Sequence, residues 1–281
     1  MQPGLWVVST PLGNPGDLSP RAAQTIAEAD LVLAEDTRRA GQLLSRCGVV
    51  ARQFLSLHEH NELERIDFVL QELIEGKTLA LVSDAGTPLL SDPGFRLIRA
   101  CRERGIFVSV VPGPSAALAA LVGSGIAPQP FVFLGFLPRK TGEQAKIFAQ
   151  YMHLPCTLVF FERKDRLADT LQVAASCLGR REVCLARELT KTYEEFIFGF
   201  LGEPSAQGSE RPFPPPDLLG ELTVVIGPPL EEARTEEKQV LALAGRLAAQ
   251  SPNLKPRALA REVHELCSGW SLKEIYEFLQ R

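Results

Sequence analysis

Between residues 5 and 111, short unbroken apolar runs alternate with amphipathic stretches of helical period. This alternation limits the fold more than any other feature of the 281-residue chain. Residues 5–9, 31–34, 53–57, 78–82 and 107–111 read as strands, and helices are expected from Pro20, over about 37–47 and 62–75, and over about 94–104. The first helix carries its own start signal, a serine at the N-cap position (Ser19) followed by proline at the first helical position (Pro20). Strands apolar on both faces belong in a mainly parallel sheet with helices on each side, so residues 1–112 are expected to form an α/β unit.

The second half reads differently. A helix over about 115–122 precedes strands at 131–134, 157–161, 182–186, 195–200 and 221–226, and the last two have no obvious helix between them. A mixed sheet with antiparallel pairs is expected, in a second α/β unit spanning 113–230, with the proline-rich segment 205–216 as a surface loop. From 231 to 281 the composition turns helical, with helices expected at 236–250, 257–268 and 271–280, a small appended module. The fold class is therefore α/β: two units with a helical C-terminal addition.

Hydrophobic residues at 45% and charged residues at 23% match a soluble globular chain. No run of about twenty apolar residues and no secretory pattern at the start is present, so a cytoplasmic protein without membrane attachment is expected. The six cysteines are scattered without a C-x-x-C pair, which argues against a zinc knuckle and a disulfide framework. A net charge of −4 lacks the global mark of a nucleic-acid binder. Local basic clusters keep that class open: Arg38-Arg39, Arg139-Lys140, Arg163-Lys164 with Arg166, Arg180-Arg181, and Lys255, Arg257 and Arg261.

Ligands of open α/β sheets sit beyond the carboxyl ends of the strands. Four loops qualify: 9–17, 35–39, 83–94 and 112–116. None is a G-x-G-x-x-G or Walker loop, and Pro11, Pro15, Pro88, Pro93, Pro112 and Pro114 remove backbone donors that a phosphate cradle needs. Rigid Gly-Pro turns suit a nucleoside without a pyrophosphate.

These loops also carry a resemblance. Ser9-Thr10-Pro11-Leu12-Gly13-Asn14 with Gly16-Asp17, Ala34-Glu35-Asp36-Thr37-Arg38, Leu57-His58-Glu59-His60-Asn61, and Ser83-Asp84-Ala85-Gly86-Thr87-Pro88 with Ser91-Asp92-Pro93-Gly94 follow one another in order. Val111-Pro112-Gly113-Pro114-Ser115-Ala116, Gly135-Phe136-Leu137-Pro138, Phe160-Phe161-Glu162, Ala186-Arg187-Glu188-Leu189-Thr190-Lys191 and Gly220-Glu221 continue the series. Across about residues 5–228 the chain resembles the ribosomal RNA small-subunit methyltransferase I family, of the tetrapyrrole-methylase fold. Phe95, where a tyrosine is usual, and the segment from Phe161 to Asp165 depart from the pattern and leave the shape of the substrate pocket open.

The resemblance implies S-adenosylmethionine as cofactor, a cytidine 2'-hydroxyl of 16S ribosomal RNA in the small subunit as methyl acceptor, and a homodimer. It implies cofactor contacts from Pro11, Ser83, Asp84, Ala85, Gly86, Thr87, Ser91, Pro114, Ser115 and Ala116. Carboxylates such as Asp84 or Asp92 would favour the cationic sulfonium, although Asp92 before Pro-Gly also reads as a turn former. A protonated hydroxyl is a poor nucleophile, so a general base or a nearby cation is expected, with Asp36, Arg38, His58, His60, Glu188 and Lys191 as candidates. Asp36 reads equally as an N-cap paired with Arg38, and Lys191 as a phosphate contact or a surface charge. His58 and His60 share a side if the segment is extended, but no further ligands accompany them and no metal is expected. Lys255, Arg257 and Arg261 would grip RNA backbone or merely flank a packing helix. Two rival functions stand beside this reading: carbon methylation of a tetrapyrrole, and a non-catalytic RNA-binding factor.

Overall fold

The computed structural model describes residues 1–208, 210–230, 235–251, 254–267 and 269–280. Five parallel strands form the first sheet: β1 (Gly4–Val8), β2 (Leu31–Ala34), β3 (Phe54–Ser56), β4 (Thr78–Val82) and β5 (Val108–Val111), in the order β3-β2-β4-β1-β5. Between them lie α1 (Pro20–Glu28), α2 (Thr37–Arg46), α3 (Glu62–Ile74) and α4 (Phe95–Glu103). The two-residue period of the strands decides the layering. Val32, Ala34, Ala80 and Val82 face one core with Ile26 of α1 and Leu44 of α2. Leu31, Leu33, Leu79 and Leu81 face the other, with Val69 of α3 and Leu97 of α4. Both faces are thereby buried, as the unbroken apolar runs require.

Ser19 caps α1 as its sequence position predicts, its hydroxyl accepting from the Ala22 amide at 3.1 Å. Ser19→Ala is expected to cost about 1 kcal/mol. In thermal unfolding this appears as a fall in Tm of roughly 2–4 °C; an unchanged Tm would show that the cap contributes nothing.

After α5 (Ala116–Gly123) the second sheet holds β6 (Phe131–Phe136), β7 (Thr157–Glu162), β8 (Glu182–Arg187), β9 (Glu195–Phe200) and β10 (Leu222–Ile226), in the order β6-β7-β10-β8-β9. Only β6 and β7 run parallel, and the other pairs are antiparallel, so the sheet is mixed as expected. One face packs on α5 through Ala120, Leu121, Val159 and Val225. The other packs on α6 (Thr141–Ala149) and α7 (Lys164–Leu178), through Phe148, Phe160, Leu171 and Val224. The sequence reading did not anticipate α6 and α7. Neither has a side-chain cap to announce it, although Leu167, Leu171, Ala174 and Leu178 keep a helical spacing along α7.

Three helices follow, α8 (Glu237–Gln250), α9 (Pro256–Glu265) and α10 (Leu272–Phe278), sharing a core of their own around Val240, Ala260, Val263, Trp270 and Ile275. Ser271 and Glu274 close a reciprocal capping box at the start of α10. The expected start of this module at 231–234, the helix end at Ser268 and part of the 205–216 loop, Ser209, lie outside the described residues.

Candidate active site

The loops that leave the carboxyl ends of β1, β4 and β5 are tied together. The Thr10 amide donates to the Gly86 carbonyl at 2.8 Å and the Gly86 amide returns a bond to Thr10 at 3.1 Å. Gly86 has φ +79°, and a Cβ there would stand 3.0 Å from the Leu12 side chain, so the turn needs glycine. The Ser83 hydroxyl donates to the Gly86 carbonyl at 3.1 Å, and the Thr87 hydroxyl to the Pro114 carbonyl at 3.0 Å.

These loops form one wall of a cavity of about 480 Å³, whose other wall comes from the second sheet. Of the ten cofactor contacts implied by resemblance, Asp84, Ala85, Thr87, Ser91, Ser115 and Ala116 line it. Pro11, Ser83, Gly86 and Pro114 do not. The last three serve as the hydrogen-bonded struts just described, and Pro11 is buried beside Thr10.

The facing wall contains residues to which sequence reasoning gave no role. Phe136 and Phe161 lie 5.4 Å apart between ring centres, backed by Phe133 at 5.0 Å from Phe161. Phe136 reaches this position through an irregularity in the β6–β7 register, where Gly135 has φ +63°. Glu162, Arg163, Lys164 and Asp165 at the end of β7, and Gly220 to Thr223 leading into β10, complete the wall. The motifs containing Phe136 and Phe161 were legible in the sequence. Their meeting was not, because it depends on the bulge.

The proposed catalytic residues fall into two groups outside this cavity. Asp36, Arg38 and His58 line a second hollow of about 470 Å³ together with Glu35, Thr37, Ser56 and His60. Here the capping alternative for Asp36 is realised. One carboxylate oxygen accepts from the Arg38 amide at 2.9 Å and from the Arg39 amide at 3.4 Å, and the other pairs with the Arg38 guanidinium at 3.1 Å. Arg38 holds the Asp36 carboxyl down at about 2. His58 and His60 are not on an extended segment but on a turn entering α3, closed by the Glu62 amide on the His58 carbonyl at 2.9 Å. Their rings are 6.1 Å apart, and His58 Nδ1 is buried without a hydrogen-bonding partner among the described residues.

Glu188 and Lys191 line neither hollow. The Lys191 ammonium donates to Glu188 at 3.0 Å and to Glu221 at 2.9 Å, while the Glu221 amide donates to Glu188 at 2.9 Å. Burial opposes the charge on both, but the Glu221 amide and Lys191 hold Glu188 below the ordinary carboxylate range, and the two carboxylates hold Lys191 above the ordinary amine. The stem of Lys191 lies against Gly13, so this network braces the β1 loop against the second sheet.

Most of the basic clusters are engaged rather than free. Arg39 pairs with Asp84 at 3.1 Å, Arg163 with Asp165 at 3.1 Å and Arg180 with Glu203 at 2.7 Å, while Arg181 is buried. Lys164, Lys255 and Arg261 make no ion pair among the described residues, and Arg257 lies over the Tyr276 ring at 5.8 Å.

The family model of the tetrapyrrole (corrin/porphyrin) methylases matches residues 4–205. The ribosomal RNA small subunit methyltransferase I of Haemophilus influenzae is 38% identical over 98% of this chain and 95% of its own length. The chain belongs to that family. The protein of the same name from Streptococcus pyogenes serotype M1 is 44% identical over 79% of this chain and 75% of its own length. Among solved structures, a uroporphyrin-III C-methyltransferase from Thermus thermophilus complexed with S-adenyl homocysteine superposes with a TM-score of 0.55 at 17% identity, over 79% of this chain and 96% of that one. At that identity the likeness speaks for the fold alone. Membership makes this chain an S-adenosylmethionine-dependent methyltransferase.

The cavity suits such a cofactor. Leu12, Ala116, Phe136 and Phe161 offer apolar surface, and one oxygen of Asp84 (Oδ1) is buried with no hydrogen-bonding partner among the described residues. A buried carboxylate oxygen left without a partner is costly, and a cationic ligand removes that cost.

Proposed function

We propose that this methyltransferase modifies a cytidine ribose 2'-hydroxyl of 16S ribosomal RNA within the small ribosomal subunit, acting in the cytoplasm as a homodimer. The observation that carries the reading is family membership across nearly the whole chain, with the Haemophilus influenzae relative matched over 98% of it.

In this reading S-adenosylmethionine supplies an electrophilic methyl group on a cationic sulfur. The chain's own residues do the rest by alignment, which is worth several kcal/mol or more in a displacement of this kind. Asp84 balances the positive charge, and the aromatic faces of Phe136 and Phe161 favour a cation while excluding water. Arg38, His58 and His60 line the neighbouring hollow and would hold the ribose and its phosphate. Glu188 and Lys191 would keep the two walls in register. In the proposed division into units 1–112, 113–230 and 231–281, the last offers Lys255 and Arg261 to RNA backbone.

The test is transfer of radiolabelled methyl to undermethylated small subunits, naked 16S RNA and uroporphyrinogen in parallel. Label recovered as ribose-methylated cytidine is expected, and the first two arms show whether assembly is required. Label entering only the tetrapyrrole would overturn the substrate while keeping the fold, and cofactor binding without turnover on any acceptor would point to a non-catalytic factor.

A further inference from the structure

Methylation of a neutral hydroxyl requires somewhere for the proton to go, and a ribose seated in the second hollow needs its proton acceptor in that hollow. Sheet order decides which part of the hollow lies nearest the methyl donor. The strands run β3-β2-β4, so the loop after β2 stands between the loop after β3, which carries His58 and His60, and the loop after β4, which walls the cofactor cavity. Two contacts tie the three loops together. The Ser56 hydroxyl at the end of β3 donates to the Glu35 carbonyl at 3.1 Å, and Arg39 pairs with Asp84 at 3.1 Å.

The β2 loop gives the hollow four residues, Glu35, Asp36, Thr37 and Arg38. Both oxygens of Asp36 are engaged by the α2 amides and Arg38, Arg38 is a cation held by Asp36, and a threonine hydroxyl is no base. Glu35 remains. It is exposed at the carboxyl end of β2, and its carboxylate makes no hydrogen bond or ion pair among the described residues. Its charge also reaches the cofactor cavity, where burial first, then Glu35 and Asp84, push Asp92 up to about 7. The histidines are less suited. A proton on His58 Nδ1 would be buried without an acceptor among the described residues, so the neutral ring carries its proton on Nε2 and offers a donor. His58 can hold a substrate oxygen but is poorly arranged to take its proton, and His60 shares the β3 loop, one loop farther from the methyl donor.

We propose that Glu35 is the general base of the methyl transfer, a role that rests on the hydroxyl substrate and its seat in the second hollow proposed above. As the ribose oxygen forms its bond to the methyl carbon, the carbon–sulfur bond breaks with its electron pair staying on sulfur. The hydroxyl proton passes to the Glu35 carboxylate, and the exposure of that side of the hollow lets it leave to solvent. His58 steadies the ribose from the β3 side through its Nε2 proton, and Arg38 faces the phosphate. The division of labour follows the strand order, with the oxygen to be methylated on the side of the hollow that adjoins β4.

The experiment compares wild type with Glu35→Gln, which keeps the size and an accepting oxygen but loses the basicity, and with Glu35→Asp, which keeps a carboxylate on a shorter stem. Glu35→Gln should bind S-adenosylhomocysteine and undermethylated small subunits as wild type does. In a single turnover it should transfer the methyl group about 100-fold more slowly, and Glu35→Asp should regain part of that loss. A readout independent of turnover follows from the charge itself. Glu35 repels Asp92, so its removal relieves a repulsion and breaks no bond, and above about pH 7 the Tm of Glu35→Gln should equal or exceed that of wild type. Glu35→Gln at the wild-type rate, or Glu35→Asp no faster than Glu35→Gln, overturns the proposal. So does a Glu35→Gln variant that melts well below wild type or loses S-adenosylhomocysteine, since the carboxylate then serves structure or the cofactor. Failure of wild type itself to label RNA overturns the substrate reading and this role with it, a result distinct from the others.

Discussion

Asp84→Asn should weaken S-adenosylmethionine binding by roughly 10- to 100-fold, because a hydrogen bond or close contact to a charged group is worth about 1.5–3 kcal/mol and each 1.4 kcal/mol is tenfold. The argument rests on the two oxygens of one carboxylate. Oδ2 pairs with Arg39 at 3.1 Å, which fixes the side chain, while Oδ1 is buried without a hydrogen-bonding partner among the described residues, in a residue that lines the cavity. The amide keeps the size and loses the charge, so loop geometry is largely conserved and the deficit reports on charge balance at the sulfonium. Binding of neutral S-adenosylhomocysteine should fall much less. Titration calorimetry with both ligands decides the matter: equal losses would place the effect in loop structure, and no loss would remove Asp84 from cofactor recognition. Arg39→Ala is the companion variant, since removing the cation leaves the carboxylate more negative and should not weaken the cationic ligand.

Glu162→Ala is expected to cost about 3–5 kcal/mol, the range for breaking a buried ion pair by removing one partner. Its residue exposure is 3%, and it accepts from the Arg163 amide at 2.8 Å and the Thr170 hydroxyl at 2.7 Å while pairing with Arg166 at 3.4 Å. Arg166 in turn donates to the Leu137 and Pro138 carbonyls at 3.0 and 2.7 Å. One carboxylate thus joins the end of β7, the first turns of α7 and the segment after β6. Its loss strands a guanidinium whose side chain is only 20% exposed. The Tm should drop by roughly 10 °C, and activity should fall at high temperature more than at low, since Glu162 and its neighbours also form cavity wall. Glu162→Ala combined with Arg166→Met should recover part of the loss because no buried charge is then left unpaired. A single variant that melts with wild type would show that the pair contributes little.

Local patterns in the chain were sufficient for a good deal of this. The strands of the first sheet, the capped start of α1 and the mixed character of the second sheet follow from apolar period, the Ser19-Pro20 signal and the absence of a helix before residue 221, all properties of neighbouring residues. So does the choice of loops, since strand ends are where an α/β sheet binds ligands. The uncapped α6 and α7 were harder to see, because nothing marks where their period begins.

What the sequence could not apportion is which residues of those loops face the cavity and which hold it up. Ser83 and Asp84 are adjacent, yet one hydroxyl turns back onto the Gly86 carbonyl and the other side chain lines the pocket. Asp36 and Asp92 are both acidic loop residues, yet one is spent on a helix N-terminus and the other, without a hydrogen bond or ion pair among the described residues, lines the cavity near two further carboxylates. Glu188 and Lys191 look reactive in isolation but neutralise each other at a seam between the sheets. Sequence determined the elements and the chemistry on offer, since these depend on short-range period and residue type. Tertiary structure alone decided the pairings, because a side chain's protonation, partner and exposure depend on groups brought to it from distant parts of the chain.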